Sequence, residues 1–204
     1  MNESPHRPRV PAREWVIGGD GWVRGARALP SPNFEARPEG TVPMLIVVHN
    51  ISLPPGEFGG EAIGELFQNR LDCSAHPYYD AHLRDLRVSS HFLIRRDGAL
   101  EQFVSCDARA WHAGASSFFG RERCNDFSIG IELEGTDHVS FESEQYSTLA
   151  ALVRTLVACY PIEALAGHSD IAPGRKTDPG PFFDWPRLAR EAGLADRYFP
   201  YRHR

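Results

Sequence analysis

No stretch of this 204-residue chain is apolar for long enough to cross a bilayer: the longest aliphatic run, Met44 to Val48, falls far short of the roughly 20 residues a spanning helix needs. An excess of positive charge is also missing. With 22 Lys and Arg against 27 Asp and Glu the formal net charge is −5, which argues against nucleic acid and other polyanions as partners. Basic residues gather only at the two ends, from His6 to Arg13 and from Arg197 to Arg204, where interleaved Pro and aromatic residues suggest surface arms. Cysteine is sparse: Cys73, Cys106, Cys124 and Cys159 stand far apart and form no Cys-x-x-Cys pair. That spacing offers neither a zinc ribbon nor a thioredoxin-type redox motif, and reduced thiols are expected. Met1 to Pro11 contains no apolar segment followed by a small-residue cleavage site, so no export signal is expected and a cytoplasmic location is.

What is there describes one globular domain. Hydrophobic residues make up 42% and charged residues 24%, and a chain of this length buries enough surface to fold without disulfides or a structural metal. The reading divides it into a flexible lead, residues 1–14, and a domain over 15–204. Pro, Ser, Asn and Gly mark residues 28–43 as loop, after which Met44 to His49 reads as a buried strand. A glycine- and proline-rich loop follows, then a short helix over Glu61 to Gln68. Ser90 to Arg95 and Leu100 to Val104, joined across Asp97-Gly98, read as a β-hairpin. Phe127 to Leu133 suits a central strand. From Ser143 to Tyr160 apolar residues recur at Tyr146, Leu149, Leu152, Val153, Leu156 and Val157, the spacing of an amphipathic helix, with Ser143 as its N-cap and Pro161 beyond its end. A weaker helix spans Asp184 to Ala192. Strands alternating with helices around a hairpin give an α/β (α+β) domain whose mixed, partly antiparallel sheet is flanked by helices.

His49 ends a predicted strand, His168 enters a loop after a second apolar stretch, and Asp178 lies ten positions further on. Two histidines and one carboxylate are the ligand count of a catalytic zinc, which keeps a fourth position open. Spacing alone leaves the plainer reading standing, in which His49 and His168 are satisfied polar residues at element ends and Asp178 caps the turn before Pro179. Glu132 and Glu134 share one face of the central strand by its two-residue period, and spacing does not choose between them as a base.

Five colinear blocks carry more information: Leu45-IVVHNISLPPGEFGG-60, Ser90-HFLIRRDG-98, Ala110-WHAG-114, Gly120-RERCNDFSIGIELEGTD-137 and Ile171-APGRKTDPGP-181. In order, from about Gly21 to Trp185, they resemble the AmpD family of cytoplasmic N-acetyl-anhydromuramyl-L-alanine amidases. The resemblance implies the fold shared with phage T7 lysozyme and the peptidoglycan recognition proteins, with Zn2+ held by His49, His168 and Asp178. It further implies Glu132 as general base, Lys176 as the group that steadies the transition state, and Asn50, Tyr78, Arg87, Trp111 and Arg123 as the substrate groove. His91 and His112 are candidates for orienting ligands or base, or for core packing.

The implied reaction is zinc-dependent hydrolysis of the amide between anhydro-N-acetylmuramic acid and L-alanine in soluble anhydro-muropeptides, with no obligate protein partner. Two other readings stay open: an amidase acting on polymeric peptidoglycan, and a muropeptide-binding module without hydrolysis. The lead before Trp15 and the tail after Trp185 lie outside the resemblance.

Overall fold

In the computed structural model, residues 14–202 are described. Six strands form the main sheet, in the spatial order Ala164–Gly167, Leu45–Ile51, Ser128–Glu134, Phe92–Ile94, Leu100–Gln102 and Arg27–Ala28. Every neighbouring pair is parallel except the hairpin Phe92–Ile94 with Leu100–Gln102. The sheet is therefore mixed and partly antiparallel, as expected from the alternation of strand and helix signals. The strands Leu45–Ile51, Ser128–Glu134 and Ala164–Gly167 are buried along almost their whole length. Leu45 to Val48 and Ala164 to Gly167 accordingly read as apolar runs, while Ser128–Glu134 alternates Ile129, Ile131 and Leu133 with Ser128, Gly130, Glu132 and Glu134.

The two faces of the sheet do different work. Ile46, Val48, Ile129, Ile131 and Leu133 point to one side, where they pack with Leu149, Leu152, Val153 and Leu156 of the helix Ser143–Cys159 and with Leu188 of the helix Trp185–Ala192. On the other side Leu45 and Val47 join Ala113, Cys124, Phe127 and Ile171 in a smaller cluster. By strand periodicity His49 continues the Leu45–Val47 row, and Ser128, Gly130, Glu132 and Glu134 form the adjacent row. Apart from Asn50 near the strand end, the polar side chains of these two strands thus face away from the long helix.

Four local expectations change. The loop-rich stretch 28–43 contains a short strand, Phe34–Ala36, paired antiparallel with Ala108–Ala110; such a strand is too short to show a period. The long helix has its N-cap at Glu142 and not at Ser143: the Gln145 side chain reaches back to accept from Glu142 N–H (3.0 Å). His168 does not enter a loop but opens a one-turn helix, His168–Ile171. The aromatic-basic tail is no free arm, because Phe199 is buried in the main core and Tyr198 packs against it. The proposed lead and the His6 to Arg13 cluster lie outside the described residues, apart from Glu14. All four cysteines are free thiols, and among the described residues no helix is long and apolar enough to cross a membrane.

Candidate active site

The strand Leu45–Ile51 and the strand Ser128–Glu134 run parallel with His49 directly beside Glu132, so both side chains leave the sheet on the same face. The neighbouring strand Ala164–Gly167 ends one residue before His168. The following loop, 172–181, brings Asp178 back over that edge, with Ser169 N–H donating to the Asp178 carbonyl (2.9 Å). Three chain segments far apart in sequence thereby converge on one point.

There, His49 Nδ1, His168 Nδ1 and Asp178 Oδ2 lie 2.9 to 3.1 Å from one another. The far nitrogen of His168 has the carbonyl of Ala113 as its nearer partner, with Arg175 at 3.3 Å spending its N–H groups on the carbonyls of Ala113 and Ala115. This Nε2 is 3.0 Å from the carbonyl oxygen of Ala113, a pure acceptor, so Nε2 carries the proton. With that proton on Nε2, the Nδ1 of His168 is available to join His49 Nδ1 and Asp178 Oδ2 as donors around a cation. Two imidazoles and one carboxylate with open space beyond are the donor set of a metal site that keeps a position for a reactant. Burial pushes the pKa of His49 down to about 4, so its imidazole is neutral and free to ligate. Burial would raise the Asp178 carboxyl, but the close approach of His168 and His49 outweighs that and holds it below the usual carboxylate range.

These residues form one wall of a cleft of about 750 Å³, which Asn50, Tyr78, Trp111, Glu132 and Lys176 also line, a size suited to a small ligand. Glu132 is 8% exposed, and its Oε2 has no hydrogen-bond partner among the described residues. Burial first, and the charge of Asp178 second, lift its pKa well above the normal carboxylate value, with Lys176 opposing the shift. Glu134 has a different fate. One of its oxygens accepts from Gly59 N–H (2.6 Å), the other from Arg96 N–H (3.1 Å), and the buried Arg95 lies 3.4 Å away. It ties the loop after the strand Leu45–Ile51 to the hairpin, and Glu132 is left facing the cluster.

Of the sequence-predicted substrate residues, Asn50, Tyr78 and Trp111 stand in the cleft wall. Asn50 Nδ2 donates to Asp137 Oδ1 (2.7 Å), which leaves the Asn50 side-chain oxygen as an acceptor. Arg87 and Arg123 are both exposed and stand outside the cleft lining. Arg87 donates to the carbonyls of Arg84 and Leu86, and Arg123 pairs with Asp126. His91 and His112 part company. His91 Nε2 faces the Ala108 carbonyl (3.1 Å), its Nδ1 accepts from Gly130 N–H (3.0 Å), and Arg37 stands beside it: it is wired to backbone. His112 Nδ1 instead lies 2.9 Å from His49 Nε2. Sequence reading missed Asp137, Ser128 and Arg175, whose guanidinium bridges the carbonyls of Ala113 and Ala115 beside His168. None of them has a local pattern, and only Gly130, a glycine inside an apolar strand, offered a signal.

Residues 39–181 match the protein family described as N-acetylmuramoyl-L-alanine amidase. The 1,6-anhydro-N-acetylmuramyl-L-alanine amidase AmpD of Escherichia coli (strain K12) is 60% identical over 170 residues, covering 82% of this chain and 92% of that protein. The crystal structure of a selenomethionine AmpD derivative matches with a TM-score of 0.84 at 54% identity, over 88% of this chain and 100% of its own. A complex of the E. coli amidase AmiD with the substrate anhydro-N-acetylmuramic acid-L-Ala-D-γ-Glu-L-Lys matches with a TM-score of 0.54 at 31% identity, over 79% of this chain and 62% of that one.

Proposed function

This chain belongs to the N-acetylmuramoyl-L-alanine amidase family, and from that premise we propose that it hydrolyses the amide joining 1,6-anhydro-N-acetylmuramic acid to the L-alanine of its stem peptide, with zinc as its metal. The observation that carries the proposal is the His49–His168–Asp178 cluster sharing a cleft with the buried carboxyl of Glu132, whose Oε2 has no hydrogen-bond partner among the described residues. The 60% identical E. coli relative bears the name of this reaction, and AmiD has been captured with a substrate of this class. Soluble anhydro-muropeptides of the cytoplasm are the substrates we infer; four free thiols agree with a reducing compartment. The catalytic domain in this reading begins near Trp15, which is buried in the main core.

Zinc held by His49, His168 and Asp178 would polarise the scissile carbonyl and bring the pKa of water to about 7. The protein's own groups supply the rest. Glu132, whose surroundings raise its affinity for a proton, takes one from the attacking water and returns it to the departing amine of L-alanine. Lys176 stands in the same cleft two residues before Asp178, where its ammonium opposes the negative charge growing on the carbonyl oxygen. Trp111 and Tyr78 offer aromatic faces to the sugar, and Asn50, oriented by Asp137, offers an acceptor to a substrate N–H. Arg87 and Arg123, exposed and outside the cleft lining, are proposed as partners of stem-peptide carboxylates.

The test is mass spectrometry of the protein incubated with anhydro-muramyl tripeptide, with and without a chelator. Release of free tripeptide and free anhydro sugar that chelation abolishes and zinc restores is the expected result. Faster release from insoluble peptidoglycan than from the soluble substrate would transfer the activity to the polymer. No release with zinc bound would leave a binding module.

A further inference from the structure

Gly130 sits in the middle of the central strand between Ile129 and Ile131, a place where glycine weakens a strand and marks a close approach. The approaching group is an imidazole: a Cβ on Gly130 would come within 2.5 Å of Cγ and 2.7 Å of Nδ1 of His112. Two residues earlier on the same face, Ser128 Oγ lies 3.1 Å from His112 Nε2. The backbone under the ring is fixed as well, because Asn125 Oδ1 accepts from both His112 N–H (3.2 Å) and Ala113 N–H (2.8 Å). On its remaining side His112 Nδ1 meets His49 Nε2 at 2.9 Å. The central strand thus carries a small residue and a hydroxyl at the two positions that seat this ring.

We infer that His112 is a positioning residue for the metal: its Nδ1 accepts the Nε2–H of His49, which fixes the tautomer of His49 and turns Nδ1 into the cluster, while Ser128 accepts the Nε2–H of His112. The inference rests on the metal-amidase reading above. A ligating histidine usually gives its second N–H to a carboxylate, a backbone carbonyl or water. His168 follows that habit with the Ala113 carbonyl. At His49 a carboxylate acceptor would add a further negative charge beside Asp178 and Glu132, whereas a neutral imidazole accepts the same proton without charge.

Zinc affinity of the full chain, measured by competition with a chromophoric chelator, tests this apart from turnover. His112→Leu keeps the bulk and removes the acceptor, and should bind zinc roughly 10- to 100-fold more weakly, the usual effect of losing such a partner. His112→Asn, whose Oδ1 can replace Nδ1 as acceptor, should recover most of that loss. Ser128→Ala should cost a smaller factor, roughly two- to tenfold on the same scale. Circular dichroism identifies variants that fold, and if His112→Leu does not, Ser128→Ala and His112→Asn decide the matter. Native-like affinity in a folded His112→Leu, or in Ser128→Ala where His112→Leu does not fold, overturns the inference and leaves the amidase reading intact. A native chain that takes up no zinc overturns both.

Discussion

Replacing Glu132 and Glu134 separately should divide catalysis from stability, although the two are chemically identical and stand on the same face of one strand. Glu132→Gln removes a buried carboxyl whose Oε2 has no partner among the described residues, so folding should change by less than about 1 kcal/mol or improve. Turnover should fall by roughly a hundredfold or more, the usual loss with a general base and about 2.7 kcal/mol of barrier. Glu134→Ala takes away acceptors for Gly59 and Arg96 N–H and one of the two carboxylates beside Arg95, which keeps Glu101 at 3.1 Å. Breaking a buried pair costs about 3–5 kcal/mol, and the surviving Glu101 contact places the loss near the lower figure. At about 2–4 °C per kcal/mol for a domain of this size, melting should fall by roughly 6–12 °C. The assay is kcat on anhydro-muramyl tripeptide at a temperature where both variants are folded, together with bound zinc and the melting temperature. A folded, zinc-loaded Glu134→Ala as slow as Glu132→Gln, or a Glu132→Gln that keeps most of its rate, would refute the reasoning.

Two further outcomes are expected. Lys176→Ala should lower kcat by roughly 10²-fold with little change in KM, since an ammonium facing a developing oxyanion acts in the transition state; a rise in KM alone would make Lys176 a substrate-binding group. In the metal-free protein, stability should fall as pH drops from about 6.5 toward 3. Burial, helped by Arg37, lowers the pKa of His91 from 6.5 to about 3, so within that window the unfolded chain takes up a proton that the folded one refuses. The loss is on the order of 1.4 kcal/mol per pH unit for each such group, and urea midpoints across the range should show it. His49 acts in the same direction, and Glu132, whose raised carboxyl takes up its proton earlier in the folded chain, opposes it, so the comparison is made in Glu132→Gln. A flat profile would mean that His91 titrates normally in the folded chain.

The sequence by itself determined whatever depends on near neighbours. The three-and-four spacing from Tyr146 to Leu156 sets a helix with one apolar face, and the run from Leu45 to Val48 sets a strand buried on both sides. Colinear blocks around His49, Glu132 and Asp178 identified the family, and with it named candidates for the metal ligands and for the base. The helix cap shows where local information ends: Glu142 and Ser143 are adjacent and both can accept a backbone N–H, and the pairing with Gln145 selected Glu142. Which groups stand beside a given side chain was decided only by tertiary structure. A two-residue period puts Glu132 and Glu134 on one face, but Gly59, Arg95 and Arg96 arrive from other segments and occupy Glu134 alone. His91 and His112 look alike in sequence, yet Ala108 and Gly130 claim one while His49 and Ser128 claim the other. Periodicity records which way a residue points, and the chain's path through space settles what it meets there.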